Sequence, residues 1–364
     1  MARKAIVFCF VLLGLIPFAA PAQDFAGDEI ELSPLGGFER VASMNARGEV
    51  LVVWAGDDIH GRLLAPDDTP LGPEFQIAET TNNYVTSLAA SIDLRGFSVV
   101  WEQEKRFESS SWMRRFDAAG EPVTERMDIG LLPTVETDPR GRSVVVSWEA
   151  GRVQGQRFNV AGNPVGPPIP LVESRLTTPL FKVVVDGQGH FVVVWKTAQS
   201  ELLGRRFDNG GRPRSPLFRI ARSAGDFDLA GNGQGSFVAL WTTSPRGLWA
   251  QAFSPSGEAS RPVLVAPRVS DQQTLKVSVG MDAAGRFLAT WDGTSNVFGR
   301  FFEASGTPLD APFRVGRPPA GQHDFAADAA GGPAGQFFVT WARAPKDGLN
   351  RLMGRRLRWP GDGL

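Results

Sequence analysis

Apolar runs that end in a tryptophan recur seven times along this chain of 364 residues. The run from Phe191 to Trp195 is apolar at every position, and the run from Leu51 to Trp54 has the same character. Successive side chains of a strand point to opposite faces, so an uninterrupted apolar run predicts a strand covered on both sides. The seven tryptophans that end these runs are Trp54, Trp101, Trp148, Trp195, Trp241, Trp291 and Trp341.

The spacing of these tryptophans is nearly constant, with steps of 47, 47, 47, 46, 50 and 50 residues. A period this long and regular indicates one supersecondary unit built seven times. The fourth unit predicts four strands, which begin near Phe181, Phe191, Gly204 and Phe218.

The first turn of each unit has the pattern D/N-x-x-G. An Asp or Asn side chain accepts hydrogen bonds from the backbone that follows it, and glycine adopts the positive φ that closes the turn. The seven predicted turns are Asn45 to Gly48, Asp93 to Gly96, Asp138 to Gly141, Asp186 to Gly189, Asn232 to Gly235, Asp282 to Gly285 and Asp328 to Gly331.

The fourth strand of each unit alternates apolar and polar residues, as in Phe75-Gln76-Ile77, which is typical of an exposed edge. Pro170 falls in one of these strands, and proline is tolerated at a sheet edge. Four strands in each of seven units predict an all-β fold, a seven-bladed β-propeller of four-stranded blades. An open solenoid is the alternative.

The two ends of the chain predict how the ring closes. The last unit reaches Leu364 without a fourth strand, whereas Ile30-Glu31-Leu32 has the pattern of one. We therefore expect the N-terminal strand to complete the last blade, with blade 7 shared between residues 28–33 and 320–364 of a single domain, 23–364. Such closure removes an open sheet edge.

The first 22 residues have the pattern of a signal peptide. Arg3 and Lys4 precede an apolar stretch over residues 5–20, and Ala20-Pro21-Ala22 is an A-x-A cleavage pattern. The stretch is shorter than the roughly 20 residues of a spanning helix, and Pro17 interrupts it. We expect a periplasmic or extracellular protein with no membrane span in the mature chain, and no cysteine there, since Cys9 is the single one.

Composition argues against several functions. The net charge is −1, or −3 without Arg3 and Lys4, which gives no electrostatic basis for nucleic-acid binding. His60, His190 and His323 lie in different units without a metal-binding pattern, so we expect no metal site and no cofactor. No G-x-S-x-G motif is present, and a tyrosine nucleophile would have to be Tyr84, the single tyrosine.

The third strand carries a long polar side chain at its second position in every unit. A function at one site would not repeat around a ring, so these residues predict hydrogen bonds between blades or to the turns. They are Arg62, Arg114, Gln156, Arg205, Gln251, Arg300 and Arg355.

In the fourth unit, the segment from the second strand through Gly204-Arg205-Arg206-Phe207-Asp208 to Pro213 resembles the β-propeller-like repeats of secreted bacterial proteins. The resemblance covers residues 28–364. It implies the propeller architecture, and it implies no particular activity because the function of that family is largely unassigned.

The loops that follow the tryptophans vary in length and content, and function concentrates in variable loops on a rigid scaffold. The candidate ligand-binding residues there are Asp57, Asp58, Glu102, Glu104, Glu149, Lys196, Asp292 and Arg343. They favour a non-catalytic module that binds a protein or a polysaccharide.

Two other functions remain open on the sequence alone. Glu102 and Glu149 occupy equivalent positions in adjacent units and would suit the acid and base of a carbohydrate hydrolase or lyase. A structural envelope component is the third interpretation. The sequence does not predict an oligomeric state.

Overall fold

The computed structural model describes residues 27–34, 37, 39–80, 84–106, 108–172, 180–243, 247–267, 276–345 and 348–361. The predicted signal peptide lies outside these ranges. The described residues form no helix and 28 strands, β1 to β28, in seven four-stranded antiparallel sheets. The predicted seven-bladed β-propeller is therefore confirmed.

Each blade has four strands, which follow one another from the channel outward. Blade 1 has β2 (Arg40–Met44), β3 (Val50–Ala55), β4 (Ile59–Leu64) and β5 (Phe75–Ala78). Blade 2 has β6 (Tyr84–Asp93), β7 (Gly96–Lys105), β8 (Glu108–Asp117) and β9 (Met127–Ile129). Blade 3 has β10 (Leu131–Thr137), β11 (Ser143–Glu149), β12 (Arg152–Phe158) and β13 (Pro164–Val172).

The later blades follow the same order. Blade 4 has β14 (Leu180–Val185), β15 (Phe191–Lys196), β16 (Leu202–Phe207) and β17 (Phe218–Ala221). Blade 5 has β18 (Phe227–Gly231), β19 (Phe237–Thr243), β20 (Gly247–Phe253) and β21 (Val263–Ala266). Blade 6 has β22 (Val277–Met281), β23 (Phe287–Asp292), β24 (Val297–Phe302) and β25 (Phe313–Arg314).

Blade 7 combines both ends of the chain. It has β26 (His323–Gly331), β27 (Gln336–Ala344), β28 (Arg351–Arg358) and, on the outside, β1 (Ile30–Ser33). β1 runs antiparallel to β28, with Ile30 opposite Gly354. Residues from the two ends of the chain therefore lie in one sheet.

The apolar second strands lie between neighbouring blades, which is why they are apolar on both faces. Val194 of β15, for example, shares a core cluster with Phe237 and Trp241 of the next blade. Every run-ending tryptophan is buried except Trp148, which is partly exposed. Truncating one of the buried rings would cost about 3–5 kcal/mol.

The ring has two faces. The turn face carries the D/N-x-x-G turns, and the tryptophan face carries the ends of the second strands and the loops that follow them. On the turn face, the Asp138 Oδ1 accepts hydrogen bonds from the backbone N–H groups of Arg140 at 2.9 Å and Arg142 at 3.0 Å. Gly141 has φ of 85°, the conformation predicted for it.

The predicted turn of the last unit was wrong. Asp328 to Gly331 lie inside β26, and the turn follows at residues 332–335, where Gly335 has φ of 79°. The extra residues 332–335 of this unit place the turn four positions later. Asp328 is therefore not part of the turn and lines the channel instead.

The channel-lining strands of neighbouring blades are joined by side chains that accept hydrogen bonds from backbone N–H groups. Asp228 Oδ2 accepts from Val279 at 3.0 Å, and Asp328 Oδ2 accepts from Ala42 at 2.8 Å. Serine does the same at other joints, since Ser91 Oγ accepts from Thr137 at 2.9 Å. At these joints the bonds satisfy N–H groups on the inner edge of a blade.

The predicted ring of long polar side chains on the third strands forms hydrogen bonds within and between blades. Arg114 donates to the carbonyl of Thr124 in its own blade at 3.2 Å and to Ile77 of the preceding blade at 3.2 Å. Arg300 and Arg355 have the same arrangement, because each also reaches a carbonyl of the preceding blade. These side chains hold the ring together.

Blade 2 departs from the other blades on the tryptophan face. The segment 102–111, predicted as a loop, is mostly the end of β7 and the start of β8. β7 continues four residues past Trp101, whereas β3 ends one residue past Trp54. At about 3.4 Å per residue, the hairpin of blade 2 projects roughly 10 Å further than its counterpart in blade 1.

Candidate functional site on the tryptophan face and in the channel

The eight residues predicted to bind a ligand divide into buried and accessible groups. Glu102, Asp292 and Arg343 are buried. The predicted loop location was wrong for six of the eight, which lie in strands: Glu102, Glu104, Glu149, Lys196, Asp292 and Arg343. Asp57, Asp58, Glu104, Glu149 and Lys196 are partly or fully exposed. The eight side chains do not form a single cluster.

Asp57 and Asp58 lie in the short connection between β3 and β4. Asp58 Oδ1 accepts a hydrogen bond from the Thr80 N–H at 2.9 Å, and its Oδ2 accepts one from Gln76 Nε2 at 2.7 Å. The Asp57 carbonyl accepts from the Thr80 hydroxyl at 2.6 Å. Asp58 therefore ties this connection to the end of blade 1, while the Asp57 side chain is exposed.

Glu102 joins blade 2 to blade 3. Its carboxylate accepts hydrogen bonds from the Thr86 hydroxyl at 3.1 Å, the Ser111 hydroxyl at 3.3 Å and the Leu132 N–H at 2.5 Å. Three donors satisfy most of the hydrogen-bonding capacity of a buried carboxylate. Glu104 lies two residues further along β7, opposite Ser109 in the projecting hairpin.

Glu149 and Lys196 end the second strands of blades 3 and 4. Glu149 is exposed and accepts a hydrogen bond from Gln154 Nε2 across the adjoining turn. Lys196 Nζ donates to the carbonyl of Gly225 at 3.0 Å, which lies in the next blade. Of the proposed carboxylate pair, only Glu149 is therefore accessible to a ligand.

Asp292 ends β23 on the tryptophan face, against the first strand of blade 7. Its carboxylate accepts hydrogen bonds from the N–H groups of Lys276 at 3.3 Å and Ala327 at 3.5 Å. Burial raises the pKa of Asp292. Nearby, burial lowers the pKa of Arg40 to about 10, although Glu39, Asp328 and Asp292 act in the opposite direction.

Arg343 belongs to an ion-pair cluster in blade 7. Its Nε lies 2.7 Å from Asp324 Oδ1, and its Nη2 lies 2.7 Å from Glu29 Oε2. Glu29 also accepts a hydrogen bond from the Arg317 N–H at 2.6 Å. The guanidinium therefore connects the segment before β1 to β26 and β27.

The most exposed aromatic side chain of the described residues lies beside the tip of the blade 2 hairpin. Tyr84, the single tyrosine of the chain, begins β6 and exposes 82% of its surface. Tyr84 pairs with Glu104 of β7, and the polar residues Glu108 and Ser109 of β8 lie beside them. A phenol ring with an apolar body and a polar tip suits a binding surface.

The central channel carries charged residues that the sequence did not identify as a group. Glu136, Lys182, Asp228, Lys276 and Asp328 all line it. Lys182 Nζ lies 3.2 Å from Asp228 Oδ1, and Lys276 Nζ lies 3.5 Å from Asp328 Oδ1. The Asp228 carboxylate holds the pKa of Lys182 above its ordinary value.

A signal for this channel was present in the sequence. The first strands of blades 4 and 5 read Phe181-Lys182-Val183 and Phe227-Asp228-Leu229, each with one charge among apolar residues. A charged side chain on a first strand can be accommodated only if the first strands of the blades border a shared polar channel. Asp328 was not identified as a channel residue because its position in a D-x-x-G pattern predicted a turn.

His60 and His190 have local ion-pair partners. His60 Nδ1 lies 3.0 Å from Glu74 Oε1, and His190 Nδ1 lies 3.0 Å from Asp186 Oδ2. Among the residues that the structure describes, no three His, Cys, Asp or Glu side chains come together as metal ligands. The same residues include no helix of the length and apolarity needed to cross a membrane.

Comparison with known proteins shows the architecture. No family model matches the chain, and no curated protein is similar to it in sequence. A prolyl endopeptidase structure is 12% identical with a TM-score of 0.54, over 83% of this chain and 44% of that one. This chain thus spans less than half of the peptidase's length.

Two other solved structures have the same degree of similarity. Raptor from Chaetomium thermophilum is 11% identical with a TM-score of 0.55, over 91% of this chain and 29% of Raptor. A Dyadobacter fermentans protein of unknown function is 11% identical with a TM-score of 0.51, over 91% of this chain and 99% of that one. At these identities the similarity shows the β-propeller fold alone.

Proposed function

We propose that this protein is an exported, non-catalytic binding module that holds a protein or a polysaccharide on its tryptophan face. The β-propeller fold commonly mediates binding, and the same fold also carries enzymes, so the site must support the proposal. The N-terminal pattern of residues 1–22 supports export to the periplasm or beyond, as in the secreted bacterial repeat proteins that the chain resembles.

One observation carries this proposal, namely the projecting hairpin of blade 2 with the exposed Tyr84 of β6 beside its tip. The hairpin extends a hydrogen-bonded surface roughly 10 Å beyond its counterpart in blade 1, and Tyr84 is 82% exposed. Tyrosine is enriched in protein interfaces because its ring offers large contact area at a low cost in conformational entropy. Glu104 and Asp57, both accessible, supply polar groups on the same face.

No observation favours the hydrolase or lyase over a binding module. Glu102, one of the two carboxylates considered for acid–base catalysis, is buried in the joint between blades 2 and 3 and accepts three hydrogen bonds. Glu149 alone would leave the reaction without its partner carboxylate.

The test compares two variants that each remove one exposed apolar side chain from opposite faces. Tyr84→Ala truncates the exposed ring beside the hairpin tip, whereas Leu71→Ala truncates a side chain that is 52% exposed and follows the second turn of blade 1. Both proteins and the wild type are screened against a polysaccharide array and a set of exported proteins. Binding by the wild type and Leu71→Ala, but not by Tyr84→Ala, is the expected result. Equal binding by all three would contradict the proposed face.

A further inference from the structure

The central channel contains a cavity that the proposed use of the tryptophan face does not involve. Its volume is about 570 Å³, and the channel-lining strands of all seven blades border it. Sites for small molecules commonly have volumes of roughly 300–1,000 Å³. The cavity is therefore large enough for a small organic molecule.

The two lysines of the channel already have acceptors. Lys182 Nζ lies 3.2 Å from Asp228 Oδ1. Lys276 Nζ donates to the carbonyl of Arg40 at 3.2 Å and lies 3.5 Å from Asp328 Oδ1. Both aspartates are further bound by backbone N–H groups, from Val279 for Asp228 and Ala42 for Asp328. These groups form a closed network between blades.

Glu136 on β10 differs from the two aspartates. Its Oε2 accepts a hydrogen bond from the Ser91 hydroxyl of β6 at 3.3 Å, and the backbone of Thr137 also contributes a hydrogen bond to the carboxylate. Within the described ranges, no lysine or arginine forms an ion pair with it. An ionised carboxylate offers about four acceptor positions. Glu136 therefore retains acceptor capacity in the cavity.

The surroundings of Glu136 determine which ligand would suit it. Burial is the largest influence on this carboxyl and raises the pKa of Glu136 to about 7. Across the channel, Asp228 on β18 also disfavours its ionisation, while Lys182 on β14 favours it. A cation that displaces water from the carboxylate would supply the missing partner, because an opposite charge favours the ionised form.

We propose that the channel binds a small organic cation with a primary ammonium group, held by the carboxylate of Glu136 and by the Ser91 hydroxyl. An ammonium group has three donors and no acceptor, so it matches the unused acceptor positions of the carboxylate. Ser91 Oγ can accept one of the remaining donors. A short diamine or a hexosamine fits within the cavity volume.

Calorimetry with 1,4-diaminobutane tests this site, and 1,4-butanediol serves as a matched neutral probe. The wild type is expected to bind the diamine at about pH 8 and to bind it roughly 30-fold more weakly at about pH 5.5, since the ionised fraction of a group with a pKa of about 7 falls in that proportion. The diamine keeps both of its positive charges at both values. The diol is expected not to bind.

Two variants complete the experiment. Glu136→Gln keeps the size of the side chain and removes its charge, so it should weaken diamine binding at least about tenfold and abolish the pH dependence. Glu258→Gln changes an exposed glutamate in a turn of blade 5 and should bind as the wild type does.

Three results would overturn the proposal. These are no binding of the diamine by the wild type at about 10 mM, equal binding of the diol, and unchanged affinity in Glu136→Gln. The first two need no variant, so they decide the matter even if Glu136→Gln does not fold. All of them are independent of binding at the hairpin tip, which the Tyr84→Ala comparison reports.

Discussion

The turn face and the tryptophan face of the ring differ in how closely the blades repeat one another. On the turn face, a side-chain oxygen of Asp or Asn accepts backbone hydrogen bonds in the same way in one blade after another. These residues are Asn45, Asp93, Asp138, Asp186, Asn232 and Asp282. On the tryptophan face, among the described strands, the hairpin of blade 2 has no counterpart of its length except in blade 7.

This difference teaches where to look for function. Side chains on the turn face stabilise the fold, because their oxygens and the neighbouring arginines form hydrogen bonds with backbone groups of the same blade or the next. On the tryptophan face, Tyr84, Asp57 and Glu149 are exposed. The predictions below therefore assign changes in stability to the turn face and the channel, and loss of binding to Tyr84 on the tryptophan face.

The largest effect on stability is expected for Asp282→Ala on the turn face. The buried Asp282 carboxylate accepts hydrogen bonds from the N–H of Ala284 at 2.9 Å and from Gly335 of the next blade at 2.8 Å, and it lies 2.8 Å from Arg286 Nε. Its removal takes the carboxylate away from Arg286 and from three backbone donors, the N–H groups of Ala284, Arg286 and Gly335, which should lower the free energy of unfolding by about 4 kcal/mol.

Urea denaturation measures this loss, with the exposed Glu258→Ala as the control on the same face. The control should change stability by less than about 0.5 kcal/mol. Comparable stability of the two variants would show that the turn-face oxygens do not hold the ring together.

The next effect is a gain in stability for Glu136→Gln that depends on pH. Burial raises the pKa of Glu136 from 4.5 to about 7, so the folded state favours its neutral form. The wild type therefore loses stability as the pH rises from about 4.5 through about 7, whereas the glutamine variant does not. Above that window the variant should be more stable by about 3 kcal/mol.

Denaturant midpoints measured across the pH range check this prediction. The two proteins should coincide in stability at about pH 4 and separate as the pH rises. A constant difference at every pH would contradict the assigned burial of Glu136.

A smaller effect is expected for Arg206→Ala, which links blade 4 to blade 5. Arg206 Nη2 donates to the carbonyl of Ser254 at 2.7 Å, and the guanidinium lies 5.2 Å from the centroid of the Phe237 ring. Loss of these contacts should lower the unfolding free energy by about 1.5 kcal/mol in thermal or urea unfolding. Arg212→Ala, at an exposed position in the neighbouring turn, should leave it unchanged.

The seven tryptophans were sufficient to predict the number of blades, because each marks the end of a strand buried between two sheets. The same spacing concealed the irregular hairpin. The steps on either side of Trp101 are both 47 residues. In blade 2, however, more of these residues belong to the strands that extend beyond the tryptophan. Only Gly130 separates β9 from β10, so the link to blade 3 is correspondingly short.

The candidate site was predicted less well than the fold, for a physical reason. A charged residue just after a tryptophan was expected to lie in a variable loop and to bind a ligand, but Glu102 and Asp292 accept hydrogen bonds from the next blade and are buried there. Contacts between blades depend on the closed ring, and the pattern within one repeat does not contain them. The channel residue Glu136 was missed for the same reason, whereas Asp328 was missed because its D-x-x-G pattern predicted a turn.

The smallest effect on stability and the largest on binding are expected for Tyr84→Ala. Its side chain is 82% exposed, so unfolding should change by less than about 0.5 kcal/mol. The affinity of this variant for the ligand that the wild type binds, measured beside Leu71→Ala, tests the account most directly. We predict at least a roughly tenfold loss for Tyr84→Ala and none for Leu71→Ala. Equal losses, or loss in Leu71→Ala alone, would contradict a binding function on the tryptophan face.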